Sequence, residues 1–144
     1  MPWLGTVTVL GVVVLAVLVW LFIRARSKDM IAELMAKRAA SSKIVSRADY
    51  VEGMQQMPVA LSLGEGMLYY ENPDLQASFE LKNIEEIEYD DELSTGRQIE
   101  HGCRALRLRS HGATFEFILD PIDCQKWAGL LPARRVGQTT ARAV

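Results

Sequence analysis

The sequence predicts an α+β chain: one N-terminal transmembrane helix, then a small antiparallel β sandwich or barrel of about six to seven strands, closed by a C-terminal α-helix. Three observations predict it. Trp3 to Ile23 is apolar and uncharged throughout. From Met57 to Leu119, apolar residues recur at every second position between short turn signals. After Asp120 the spacing becomes helical, with Ile122, Trp127, Leu130 and Leu131 supplying an apolar side.

The apolar run, WLGTVTVLGVVVLAVLVWLFI, spans about 31 Å at the helical rise, close to the hydrocarbon thickness of a bilayer. Trp3 and Trp20 sit near its two ends, where indole rings favour the membrane interface. Arg24, Arg26 and Lys28 follow it directly, and only Met1 and Pro2 precede it. That order is the reverse of a cleavable signal peptide. The positive-inside rule then expects the N-terminus outside and the C-terminal side in the cytoplasm, in a single-pass protein of the cell's inner membrane. Gly5, Thr8 and Gly11 recur at i+3 as a weak packing face, without a GxxxG motif.

The net charge of −2 conceals a division. Residues 1–44 carry six Lys/Arg against two Asp/Glu, and residues 133–144 add three arginines. Residues 45–132 carry seven Lys/Arg against sixteen Asp/Glu. An acidic globule repels phosphate, which argues against nucleic acid as a partner. The juxtamembrane cations suit an anionic inner leaflet. Cys103 and Cys124 stand far apart and form no CxxC, so reduced thiols are expected in a cytoplasmic domain. The division gives four segments: 1–23 an anchor, 24–43 a basic juxtamembrane helix or linker, 44–132 a cytoplasmic domain, and 133–144 a basic flexible tail.

Within the second segment, KDMIAELMAKRAA holds strong helix formers, with Ile31, Leu34 and Met35 at i, i+3 and i+4. It reads as a short helix, continuous with the anchor or lying near the surface, that packs lightly on the domain. Ser41-Ser42 breaks it. Residues 44–56 read either as a further helical turn or as an edge strand ending at Gly53. Val59, Leu61 and Leu63 then alternate as a strand. Gly64-Glu65-Gly66 turns the chain into MLYYE, and Asn72-Pro73-Asp74 turns it again. Ala77–Leu81 and Ile84–Asp90 follow as strands. Residues 91–102 are the longest polar interruption, a loop or a small hairpin around Ser94-Thr95-Gly96. Arg104–Ser110 and Ala113–Leu119 form the last pair, turned at His111-Gly112. Asp120 is the expected N-cap of the final helix, with Pro121 in its first turn.

The last hairpin, LRLRSHGATFEFIL, leads straight into a capped helix carrying Trp127 and Leu130. This resembles the end of a pleckstrin-homology-like (PH-like) domain, of the kind found in small bacterial membrane proteins and GRAM-type modules. The resemblance covers about residues 55–132. It implies that Trp127 is core. Members that bind phosphoinositides use Lys and Arg between their first two strands. The corresponding turn here is read as Gly64-Glu65-Gly66, which has no cation. Many such modules bind proteins instead.

Candidate chemistry is sparse. His101, Cys103, His111 and Cys124 suit zinc in type but not in spacing, so no metal or cofactor is expected. Asp90, Asp91 and Glu92, with Glu85, Glu86 and Glu88 upstream, read as a solvated face rather than catalytic carboxylates. Ser94-Thr95-Gly96-Arg97 lacks the Gly-rich pattern and the Lys of a phosphate loop, and no nucleophile elbow or HExxH occurs. Glu86 or Glu88 is placed to pair with Arg107 or Arg109 across adjacent strands.

The expected function is therefore a non-catalytic, membrane-anchored protein-binding module, an adaptor or scaffold for another membrane protein or complex. Its contacts are expected on the 91–102 loop, which carries Arg97, and on the face of Glu86, Glu88, Arg107 and Arg109. An accessory subunit of a larger membrane complex is one alternative, and a lipid or small-ligand sensor is another.

Overall fold

The computed structural model describes residues 2–100 and 102–135. Helix α1 (Pro2–Ala39) is unbroken. It is the one helix among the described residues long and apolar enough to span a membrane. No large side chain from Trp3 to Ile23 is covered by the rest of the protein. The helix continues past the cations for about three more turns, as the helix formers after Lys28 predict.

Seven antiparallel strands follow: β1 (Ile44–Glu52), β2 (Gln55–Leu63), β3 (Met67–Asn72), β4 (Leu75–Glu80), β5 (Ile84–Asp90), β6 (Arg104–Ser110) and β7 (Ala113–Leu119). They form one curled sheet in the order β4-β3-β2-β1-β7-β6-β5. Helix α2 (Pro121–Leu130) closes the chain. This layout is compatible with a PH-like fold.

Residues 44–56, ambiguous in sequence, form β1 and the start of β2. β1 is a central strand rather than an edge, paired to β2 over its whole length and to β7 through Asp49, Tyr50 and Val51. The turn between the first two strands is therefore Gly53-Met54, and Gly64-Glu65-Gly66 joins β2 to β3. That corrects the turn assigned from sequence. The true turn also has no Lys or Arg.

The concave face holds the core. Val59, Leu61, Leu68, Leu106, Leu108, Phe117, Leu119 and Trp127 are buried there, beside a chain of rings linking Tyr50, Tyr70, Phe79, Phe115 and Phe117 at 4.7–5.4 Å. Asp120 caps α2 by accepting from the Asp123 amide at 2.8 Å. Only Cys124 and Trp127 of α2 are buried, followed by Leu131 at its end. Ile122 and Leu130, expected on the apolar side, are exposed because the short helix touches the sheet through a single turn.

The C-terminal third of α1 covers the outer face of β1, β2 and β3. Ile31 is buried there, as are Ala60 and Ser62, whose small side chains let the helix approach. Arg38 pairs with the buried Glu71 and lies over the Tyr69 ring at 4.1 Å. The glutamate's hydrogen bond holds the Arg38 guanidinium above its ordinary pKa. The chain after α2 returns to the open edge of β5. Ile87 and Arg134 exchange both backbone hydrogen bonds at 2.9 Å, and Arg135 reaches Glu88 at 3.1 Å. The start of the expected flexible tail is thus docked; residues 136–144 lie outside the described residues.

Candidate protein-contact site

The outer face of β5, β6 and β7 carries the charged strip. The register sets Glu88 opposite Arg107 and Glu86 opposite Arg109, and Arg107 opposite Glu116. Arg107 donates to Glu88 at 3.1 Å, to Asp90 at 3.3 Å, to Glu116 at 3.3 Å and to the Glu92 carbonyl at 2.9 Å. Its guanidinium is held above its usual pKa: burial opposes the charge, and Glu88, Glu116 and Asp90 together outweigh it. The Glu92 and Asp91 amides and Arg107 stabilise the Asp90 carboxylate and hold it below the ordinary range against some burial.

This knot fixes the 91–102 loop. Glu116, buried in β7, accepts from the Ser94 amide at 3.0 and 3.2 Å and from the Ser94 hydroxyl. Leu93 is buried beneath the loop. Glu92 bridges to Gln98, and the Leu93 amide donates to the Arg97 carbonyl at 3.0 Å, so the small hairpin around Ser94-Thr95-Gly96 is present. Between this hairpin and the outer faces of β1, β2 and β7 lies an open groove of about 360 Å³. Arg97, Gln98, Ile99 and Glu100 line one wall; Asp49, Gln56 and Ile118 line the other. A second concavity of about 220 Å³ is bordered by Glu86, Glu88, Arg107, Arg109 and Thr114.

The expected contact residues thus fall into two groups. Arg107 and Glu88 are engaged within the fold. Arg97 is exposed on the groove and makes no ion pair among the described residues. Arg109 is half-exposed and pairs at 3.6 Å with Glu85 rather than with Glu86 or Glu88, because a bulge in β5 shifts the register there. Of the two residues that hold the loop, the sequence reads Ser94 only as part of the hairpin turn and does not single out Glu116. The signal for Glu116 is a lone charge in ATFEFIL at the position opposite Arg107.

No protein-family model, curated protein or solved structure matches the chain. The functional reading therefore rests on its own residues.

Of the residues of zinc type, the three described, Cys103, His111 and Cys124, do not come together. His111 and Gly112 form the two-residue turn of the β6–β7 hairpin, both with positive φ (50° and 77°), at the opposite end of β6 from Cys103. Seven strand residues, about 24 Å, separate the two ends. The turn keeps His111 away from Cys124, because α2 follows Leu119 at the Cys103 end of β6. Cys103 and Cys124 are free thiols, and burial pushes both pKa values up, the opposite of an activated nucleophile. His101 lies outside the described residues. No group of three metal-ligating side chains comes together among those described.

Of the expected anchor residues, Trp3 and Trp20 are exposed, and Arg24 lies over the Trp20 ring at 5.3 Å. Arg26 and Lys28 follow on the same unbroken helix, also exposed.

Proposed function

We propose that this chain is a non-catalytic, membrane-tethered protein-binding module with a PH-like domain on the cytoplasmic face. One observation carries the reading. The 91–102 loop is held in a defined shape by Arg107 and Glu116, and beside it a groove exposes Arg97, Ile99 and Glu100 together. A preorganised surface that mixes an unpaired cation, a carboxylate and apolar contact suits a protein segment, because ordering costs have already been met in folding. Among the described residues, the groove holds no buried carboxylate pair, and burial raises the pKa of its one thiol, Cys103. Tethering to the bilayer raises the effective concentration of a membrane partner, so a modest groove suffices.

Native sizing with mass spectrometry, after extraction in mild detergent, tests this. The wild-type chain is expected to migrate with a second, defined protein. Arg97→Glu is expected to weaken that association about tenfold through charge reversal at the groove. Migration of the wild-type chain alone contradicts the reading. A complex indifferent to Arg97→Glu, yet lost on replacing the apolar run, transfers it to the accessory-subunit alternative.

A further inference from the structure

The seam between α1 and the sheet opens toward the end of the apolar run. Arg38 meets Tyr69 and Glu71 at one end of this seam. At the other end, a cleft of about 340 Å³ is lined by Trp20, Ile23, Arg24 and Lys28 of α1, by Arg47 of β1 and by Pro58 of β2. Trp20 and Ile23 belong to the last turn of the apolar run. Arg24 and Lys28 lie one and two turns beyond Trp20, so the lining climbs about 12 Å along the helix. That range crosses from the edge of the hydrocarbon into the headgroup layer.

The charge is one-sided. Arg38, Arg104, Arg107, Arg109 and Arg135 each pair with a carboxylate. Arg24, Lys28 and Arg47 pair with none among the described residues, and they converge on one cleft from two elements of the fold. No acidic residue lines this cleft; Asp49, Asp120 and Asp123 line a neighbouring groove that Arg47 also borders, and they make no ion pair with it among the described residues. Arg47 is a cation on a domain otherwise dominated by carboxylates, and it lies on the side that meets the anchor.

We propose that this cleft seats the phosphate of an anionic glycerophospholipid. Arg24, Lys28 and Arg47 donate to the phosphate oxygens, and Trp20, Ile23 and Pro58 lie against the glycerol and the upper acyl chains. The lipid bridges the anchor and the sheet and sets the height of the domain above the bilayer. The proposal rests on the reading of α1 as a membrane span. Free phosphate offers the same oxygens but leaves the apolar part of the cleft uncovered.

Native mass spectrometry of the full chain in detergent tests this, with dioleoyl phosphatidylglycerol or dioleoyl phosphatidylcholine added separately, each with and without excess inorganic phosphate. One retained phosphatidylglycerol is expected, with clear preference over phosphatidylcholine and little competition from inorganic phosphate. Arg47→Gln and Lys28→Gln are each expected to weaken retention about fivefold, the effect of one cation near an anionic surface. Arg26→Gln removes the same charge from the same turn outside the cleft and is expected to change little. Equal losses in all three variants, or no preference between the lipids, overturn the proposal, as does full displacement by inorganic phosphate. Alkaline carbonate extraction separates the two readings. A chain released from membranes refutes the span, whereas a retained chain without lipid preference refutes the cleft alone. Unchanged melting of the variants shows that they are folded.

Discussion

The indole nitrogen of Trp127 donates to the hydroxyl of Ser46 at 3.0 Å, and both residues are buried. This bond fastens α2 to the central strand β1 and explains a serine on the concave face. Trp127→Phe is expected to lower unfolding stability by about 2 kcal/mol, since it leaves Ser46 without its partner. Trp127→Ala is expected to cost about 3–5 kcal/mol through the cavity it opens. Thermal or denaturant unfolding of the full chain in micelles measures both. Wild-type melting of Trp127→Phe would contradict the role given to the bond.

The Arg38–Glu71 pair makes a second prediction. Glu71 is almost fully buried beneath α1, so Arg38→Ala strands a carboxylate against the sheet. A cost of about 2–3 kcal/mol is expected, at the lower end for a broken buried pair because Arg38 is part-exposed. Hydrogen exchange should show amides 28–39 losing protection first, while β5–β7 remain protected. Uniform loss across the domain would mean that helix and sheet do not separate as units.

Arg107→Met is expected to release the 91–102 loop. It removes the donor shared by Glu88, Asp90 and Glu116 and leaves those carboxylates facing one another. The expected loss is about 2 kcal/mol, between the exposed and the fully buried cases. Limited proteolysis should move to residues 94–100. An uncut loop would show that Leu93 and Ser94 hold it without Arg107.

Acid should loosen the same knot. Asp90 has its folded-state pKa depressed by the Glu92 and Asp91 amides and by Arg107. Its contribution is therefore complete above the ordinary aspartate pKa of about 3.9 and is lost as pH falls through the lower folded value. Asp90→Asn is expected to flatten the acid limb of the stability curve there and leave the limb above neutral pH unchanged. An identical acid limb in wild type and variant would exclude Asp90 as a contributor.

Much of this fold is legible in the sequence, and the exceptions have physical causes. The long apolar helix, β2 to β7 and the capped α2 all follow period and turn chemistry. β1 does not, because Ser46 and Ala48 occupy its core positions while Val45 and Val51 face outward. Its apolar residues fall on both faces, Ile44 and Tyr50 inward and Val45 and Val51 outward, and one core position is given to the Trp127 hydrogen bond. Ala60 and Ser62 likewise read as solvent-facing, yet α1 covers them. At the contact site, Glu88 opposite Arg107 follows from strand alternation alone. The hold of Glu116 on Ser94 does not, because it joins residues whose proximity only the folded loop creates.

Site-specific photocrosslinking in native membranes tests the central claim most directly. A photoreactive residue at Arg97 or Gln98 is expected to give one discrete adduct with a membrane protein. The same residue at Gln76 or Ser78, exposed on the far strand β4, is expected to give none. The absence of any adduct from the groove, or equal adducts from both regions, would contradict the account.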